Sequence, residues 1–161
     1  MKKFLWIVLA CVALIGGCGT SSDSSTQAAK KSTQIITVYE ADDQAEYVVP
    51  REVTYTEGTD NEKKFVQFLF DEVVVEDVKL NSYKFSSDRK ILTLDLNDGV
   101  MNVQGSAGGQ MFMGTLAETY FVNFPKLKEI VLLHNGSDEM ILDHVFIGEP
   151  IMREPSFKKP K

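Results

Sequence analysis

The chain has 161 residues, of which 43% are hydrophobic and 25% are charged, with two cysteines and two histidines. These values are typical of globular proteins and exclude collagens, coiled coils and fully disordered chains. Acidic residues outnumber basic ones by 23 to 17. Because phosphate recognition needs clustered lysine and arginine, we expect no nucleic-acid binding. The composition therefore indicates a small acidic domain.

The N-terminus has the features of a bacterial lipoprotein signal. Lys2 and Lys3 precede an apolar run, residues 4–15 (FLWIVLACVALI), which is too short to span a bilayer comfortably. Residues 15–18 (IGGC) resemble a lipobox, whose cysteine receives a diacylglyceryl thioether and becomes the first residue. We therefore predict a signal peptide over residues 1–17 and lipid attachment at Cys18. The protein would be anchored in the bacterial membrane, on its extracytoplasmic face.

Cleavage before Cys18 would change the chemistry of the chain. It removes Cys11 and two lysines, which takes the net charge from −6 to −8. Since Cys18 is acylated, we expect no disulfide, thiolate metal site or cysteine nucleophile. Residues 18–33 are rich in serine and threonine, as in flexible tethers. We predict a folded domain over residues 34–151 and a basic disordered tail over residues 152–161.

Several segments of the domain have strand patterns. Residues 35–39 are β-branched or aromatic, and the shorter extended segments 47–49 and 52–55 follow, with Pro50 between them predicting an edge position or a break. Residues 83–85 and 91–96 flank a polar turn, which predicts a hairpin with one buried face. Three further features are a strand at 130–133 buried on both faces, a turn at 135–136 and an extended segment at 140–142.

Two helices are predicted. Residues 59–62 (TDNE) fit a capping box, so the first helix is expected from about residue 60 to residue 72. Three of its residues recur at helical spacing and should face the sheet: Phe65, Phe68 and Leu69. The glycine-rich segment 105–109 introduces the second helix, which should end near Asn123 because Pro125 follows.

The second helix has too many apolar residues for a single buried face. The predicted inner face consists of Gly109, Phe112, Met113, Leu116 and Tyr120. Met111, Phe121 and Val122 lie outside it, so the helix is either covered on two sides or exposes an apolar strip. We take Met111 and Phe121 as a candidate partner surface.

The order of these elements resembles the GerMN domain, a sporulation and spore-germination module of Gram-positive bacteria usually found on lipoproteins. The resemblance covers about residues 35–151 and depends on soft motifs: the strand 92–96 (LTLDL), residues 114–119 (GTLAET), Phe124-Pro125 and the strand 129–133. It implies an α+β domain, with two helices packed on one face of a small mixed sheet, in the order β-α-β-β-α-β-β. It also implies similarity to ring-building modules that polymerise in the sporulation septum, and no assigned active site.

No catalytic or cofactor motif is found in the sequence. His134 and His144 are ten residues apart, and a zinc site would need further ligands. Residues 95–99 (DLNDG) depart from a calcium loop, so we interpret them as a strand end and turn. The glycines at 105–109 match no phosphate-binding loop and are interpreted as allowing a tight turn. We expect no catalytic residue, metal or cofactor.

Two functional hypotheses remain open. The first is a non-catalytic, lipid-anchored scaffold that associates with envelope or sporulation proteins, or with itself, through a sheet edge or the second helix. The alternative is a lipoprotein that binds a small molecule or a cell-wall fragment. The alternative requires a concave apolar cleft, which a structure would reveal.

Overall fold

The computed structural model describes residues 32–56, 61–75, 77–138 and 149–160. The predictions for the signal peptide, Cys18, most of the tether, Thr59, His144 and segment 140–142 lie outside these residues. The elements are β1 (Thr33–Ala41), β2 (Val48–Thr56), α1 (Asn61–Asp71), β3 (Leu80–Phe85), β4 (Ile91–Leu96), a 3-10 helix (Asp98–Asn102), α2 (Ser106–Asn123), β5 (Glu129–His134) and β6 (Ile151–Met152). The predicted α+β class with two helices is confirmed.

The strands form two sheets instead of the single predicted one. β1 and β2 make a two-stranded antiparallel hairpin. The other four strands are ordered β3-β4-β5-β6, with β4 and β5 parallel and the two outer pairs antiparallel. Among the described residues, β5 therefore pairs with β6 at residues 151–152.

Strand β2 is one nine-residue strand at the edge of its sheet, so of the two alternatives for Pro50, an edge or a break, the structure has the edge. Pro50 lies opposite Tyr39 in the hairpin. The Tyr39 N–H points away from β2, because it donates to Thr119 Oγ1 of α2 at 2.8 Å. Residues 39 and 50 therefore form a pair that exchanges no backbone hydrogen bond. Since no carbonyl of β1 accepts a hydrogen bond from residue 50, the missing N–H of proline does not interrupt the strand.

The four-stranded sheet buries one face. In β4, Leu92, Leu94 and Leu96 are fully buried, as the alternation predicts. In β5, Ile130 and Leu132 are buried, whereas Val131 and Leu133 are half-buried. The expectation that β5 is buried equally on both faces is corrected, since the hydrophobic core lies against one face of the sheet.

Helix α1 packs in two directions. Val66, Leu69 and Phe70 enter the main core. Phe65 and Phe68 are half-buried, and their ring centroids lie 4.9 and 5.0 Å from that of Tyr55 in β2. The helix thus joins the hairpin to the core, and Leu69 alone of the three predicted inward residues is fully buried.

Helix α2 is the centre of the fold. Eleven of its 18 residues are buried. The main hydrophobic cluster joins it to α1, β4 and β5, while β1 packs along the same helix. Of the two alternatives that the sequence left open, the structure has the helix covered on two sides.

The buried helix removes the predicted partner surface. Met111 is 7% exposed and packs in a small cluster with Tyr39 and Val48 of the hairpin. Phe121 is 2% exposed and lies in the main core. Met111 falls outside the predicted inner face because the hairpin provides a second apolar layer. Neither side chain is exposed enough to form a protein-binding surface, although Met111 lines the cleft described below.

The C-terminal residues pack on α2, which corrects the prediction of a disordered tail. Glu118 is 3% exposed, and its carboxylate accepts from Ser156 Oγ at 2.6 Å and the Phe157 N–H at 3.0 Å. It also pairs with Lys158 Nζ at 2.9 Å. Burial lowers the pKa of the Lys158 ammonium, but the hydrogen bond and charge of Glu118 outweigh it, and the pKa is raised overall. A buried carboxylate thus holds the segment in place.

Arg153 anchors the start of the same segment. Its guanidinium donates to main-chain carbonyls around the end of α2. That of Phe121 lies in the last turn of α2, and those of Phe124 and Leu127 lie just after the helix. Further along, the Phe157 side chain lies so close to Gly114 that a Cβ there would be 3.0 Å from it. A side chain at residue 114 would therefore press against the docked segment.

Replacing Glu118 should release this segment. Glu118→Ala leaves three donors without their buried acceptor, so we expect a loss of about 3 kcal/mol in the free energy of unfolding. The control Glu62→Ala removes an exposed ion pair with Arg89 and should cost less than about 1 kcal/mol. Urea denaturation measures both values. Equal losses for the two variants would contradict the role given to Glu118.

Candidate functional site

A concave cleft of about 660 Å³ opens where three parts of the fold meet. These parts are the turn end of the β1–β2 hairpin, the loop after α1, and the start of α2 with the preceding residues 102–104. Small-molecule sites typically have volumes of roughly 300–1,000 Å³. The cleft is therefore large enough for a small ligand, as the alternative hypothesis requires.

The walls of the cleft are mostly apolar. Val73 and Val75 line it from the loop after α1, Val103 lines it from the segment before α2, and Phe112 lines it from α2 itself. Val75 is 55% exposed, which places it among the most exposed large apolar side chains of the described residues. A ligand in the cleft would cover this side chain.

Charged groups gather at one side of the cleft around Arg51. Its Nε lies 3.0 Å from the Glu40 carboxylate and its Nη2 lies 3.1 Å from the Glu72 carboxylate. Nη2 also donates to the main-chain carbonyl of Glu72 at 3.1 Å. Asp77 adds a third carboxylate to the lining. Three carboxylates against one guanidinium leave the lining net negative.

Close backbone packing fixes the loop that carries Val75 and Asp77. A Cβ on Gly99 would lie 1.9 Å from the Asp77 carbonyl oxygen, so only glycine fits beneath this loop. The Asn97 side chain donates to the same carbonyl at 3.1 Å and accepts from the Lys79 N–H at 2.7 Å. The segment DLNDG is thus a strand end, as predicted, but it continues into the 3-10 helix Asp98–Asn102 where a turn was expected, and it also supports one wall of the cleft.

His134 lies outside the cleft, in a polar cluster at the end of β5. Its Nε2 is 2.7 Å from Asp98 Oδ1, which also accepts from Asn135 Nδ2 at 2.7 Å. These hydrogen bonds, that of His134 first, lower the pKa of the Asp98 carboxyl. Across the described segments, no group of three histidine, cysteine or acidic side chains could hold a metal ion.

The side of β2 that faces away from β1 is a sheet edge among the residues that the structure describes. Val48 donates its N–H outward to the Phe157 carbonyl at 3.2 Å. In an antiparallel strand, the backbone N–H and C=O groups of alternate residues point to opposite sides of the strand. The backbone groups of Glu52 and Thr54 therefore point away from β1, as those of Val48 do. Within the described ranges, only the isolated bridge of Val48 to Lys158 pairs with this edge. We call Glu52 and Thr54 the open β2 edge.

No helix in the part of the chain that the structure describes is both long and apolar enough to cross a membrane.

The fold is similar to that of known GerMN domains. It resembles the tandem GerMN domains of the sporulation protein GerM from Bacillus subtilis, with a TM-score of 0.53 and 24% identity over 79% of this chain and 48% of that chain. A candidate lipoprotein from Clostridium perfringens has a TM-score of 0.42 and 15% identity over 77% of this chain and 89% of its own. No family model and no curated protein matches. The chain spans about half of the tandem structure, and its fold is GerMN-like.

The Asp98–His134 contact should make stability depend on acid pH. Because the pKa of Asp98 is lower in the folded state, its contribution is present above the ordinary pKa, near pH 4, and is lost as the pH falls. Asp98→Asn should therefore lose less stability than the unmodified chain between about pH 5 and pH 3. Urea midpoints at the two pH values measure this difference. An identical pH dependence in both proteins would exclude the contact.

Proposed function

We propose that the chain is a lipid-anchored envelope protein whose GerMN-like domain associates with other envelope proteins, without catalytic activity, in sporulation, germination or cell-wall assembly. The observation that carries the proposal is the similarity of its fold to the tandem GerMN domains of GerM. The lipobox at residues 15–18 supports the anchor.

The tether would keep the domain near the membrane. Residues 19–32, which precede β1, have the composition of a flexible tether, and a tether of this length has an r.m.s. span of roughly 20 Å. Acylation of Cys18 with two or more chains would hold the protein firmly in the bilayer. A partner would then be another protein at the same membrane surface.

The open β2 edge is the contact surface that we propose. Unpaired strand edges bind extended segments of other chains through backbone hydrogen bonds. Beside this edge, Ile35 of β1 lies opposite Thr54 and is 70% exposed. A partner strand would thus gain both backbone hydrogen bonds and apolar contact.

The cleft favours a second function, the binding of a small molecule or a cell-wall fragment. Such a function requires a concave apolar cleft, and this cleft has a volume of about 660 Å³ and mostly apolar walls. The two functions use different surfaces of the domain, so one does not exclude the other.

Lipid attachment has a matched control within the signal sequence. Cys18→Ala should abolish labelling by a clickable fatty acid and change the mobility of the protein on a gel. Cys11→Ala should behave as the unmodified protein, because residue 11 is removed with the signal peptide. Fatty-acid labelling that persists in Cys18→Ala would contradict the proposed anchor.

Association can be tested by crosslinking the full-length lipoprotein in its native membrane and identifying the retained proteins by mass spectrometry. We expect envelope or sporulation proteins to be recovered. Ile35→Glu and Thr54→Pro, which remove apolar contact and an edge donor, should abolish their recovery. Val122→Glu places the same carboxylate at an exposed apolar residue of α2, away from the open β2 edge, and the partners should still be recovered. No specific partner, or equal recovery with all variants, would contradict the proposal.

A further inference from the structure

We infer that the cleft around Arg51 binds a small molecule with an apolar body and a positively charged ammonium head. This inference rests on the second proposed function, the binding of a small molecule in the cleft, and adds the chemical class of the ligand. The shape, the apolar lining and the charge of the cleft each favour such a ligand.

The shape and lining call for an apolar body. Val73, Val103 and Phe112 form apolar walls of a cleft large enough for a ring or a short alkyl chain. Val75 projects at the same site with more than half of its surface exposed. Because covering exposed apolar surface is favourable in water, an apolar ligand would be stabilised here.

The existing contacts of Arg51 disfavour an anion. Its Nε and Nη2 already bind the Glu40 and Glu72 carboxylates, at 3.0 and 3.1 Å. An anionic ligand at Arg51 would lie beside these two carboxylates, whose repulsion offsets its attraction to the guanidinium. The surroundings of Arg51 therefore disfavour an anion.

The remaining charge favours a cation. With Asp77, the lining holds three carboxylates and one guanidinium. The N-terminus of α2, which contributes Gly108 to the lining, adds only about half a positive charge. The lining stays net negative, so an ammonium group gains electrostatic attraction. Since Glu40 and Arg51 are partly exposed, this attraction selects the sign of the ligand more than it raises affinity.

Two probes with the same apolar body and opposite charges test the sign. The full-length protein in phosphatidylcholine nanodiscs is titrated by calorimetry with 4-phenylbutylammonium and with 4-phenylbutanoate, and titrations of empty nanodiscs are subtracted. We expect saturable binding of the ammonium probe and about tenfold weaker binding of the carboxylate. Equal affinities, or no saturable binding of the ammonium at millimolar concentration, would overturn the inference.

Matched substitutions locate the binding. Glu40→Gln and Val75→Ser should each weaken binding of the ammonium about threefold, since they remove a charge and an apolar contact from the cleft. Glu62→Gln, which removes an exposed carboxylate paired with Arg89, and Val122→Ser make the same changes outside the cleft and should have no effect. Equal weakening in a variant and its control would place binding elsewhere. Recovery of protein partners by Val75→Ser should stay unchanged, so failure here and failure of the association proposal are distinguishable.

Discussion

The burial of α2 on two sides is the constraint on which the rest of the structure depends. A helix covered in this way cannot turn its polar side chains to water, and a buried polar group without a partner costs about 1–3 kcal/mol. The Thr115 hydroxyl donates to the Phe112 carbonyl within the helix, whereas three other buried polar groups of α2 bind other parts of the chain. Thr119 accepts from β1, the Tyr120 hydroxyl donates to the Val66 carbonyl of α1, and Glu118 accepts from the C-terminal segment. The polar groups thus determine which elements cover the helix and where.

The cleft follows from this arrangement. Thr119 fixes β1, and the hairpin then places Glu40 and Arg51 above the start of α2. The loop after α1 reaches the same place because Glu72 binds Arg51 and because Gly99 admits the backbone at Asp77. Three elements distant in sequence therefore meet without filling the space between them. The open β2 edge lies on the outer side of the same hairpin, so α2 positions both candidate surfaces.

The sequence predicted the positions of helices and strands better than the way in which they pack together. The leucine alternation of β4 and the end of α2 before Pro125 depend on neighbouring residues, and both were correct. Met111 and Phe121 were misplaced because periodicity describes one face of a helix and cannot show a second apolar layer. Glu118 and Thr119 did carry a signal of the second layer, because they are polar residues in an otherwise apolar stretch of helix. Both are buried in the structure. The cleft was not predictable, since Arg51 and Glu72 belong to elements whose packing no local pattern records.

Amide hydrogen exchange at Tyr39 tests the burial of α2 most directly. Its N–H points away from β2 and is protected only if α2 supplies Thr119 as the acceptor. We predict that the Tyr39 amide exchanges as slowly as that of Leu94 in β4, and that Thr119→Val accelerates Tyr39 alone. Exchange of Tyr39 in the unmodified chain as fast as that of Thr54 at the open β2 edge would contradict the account.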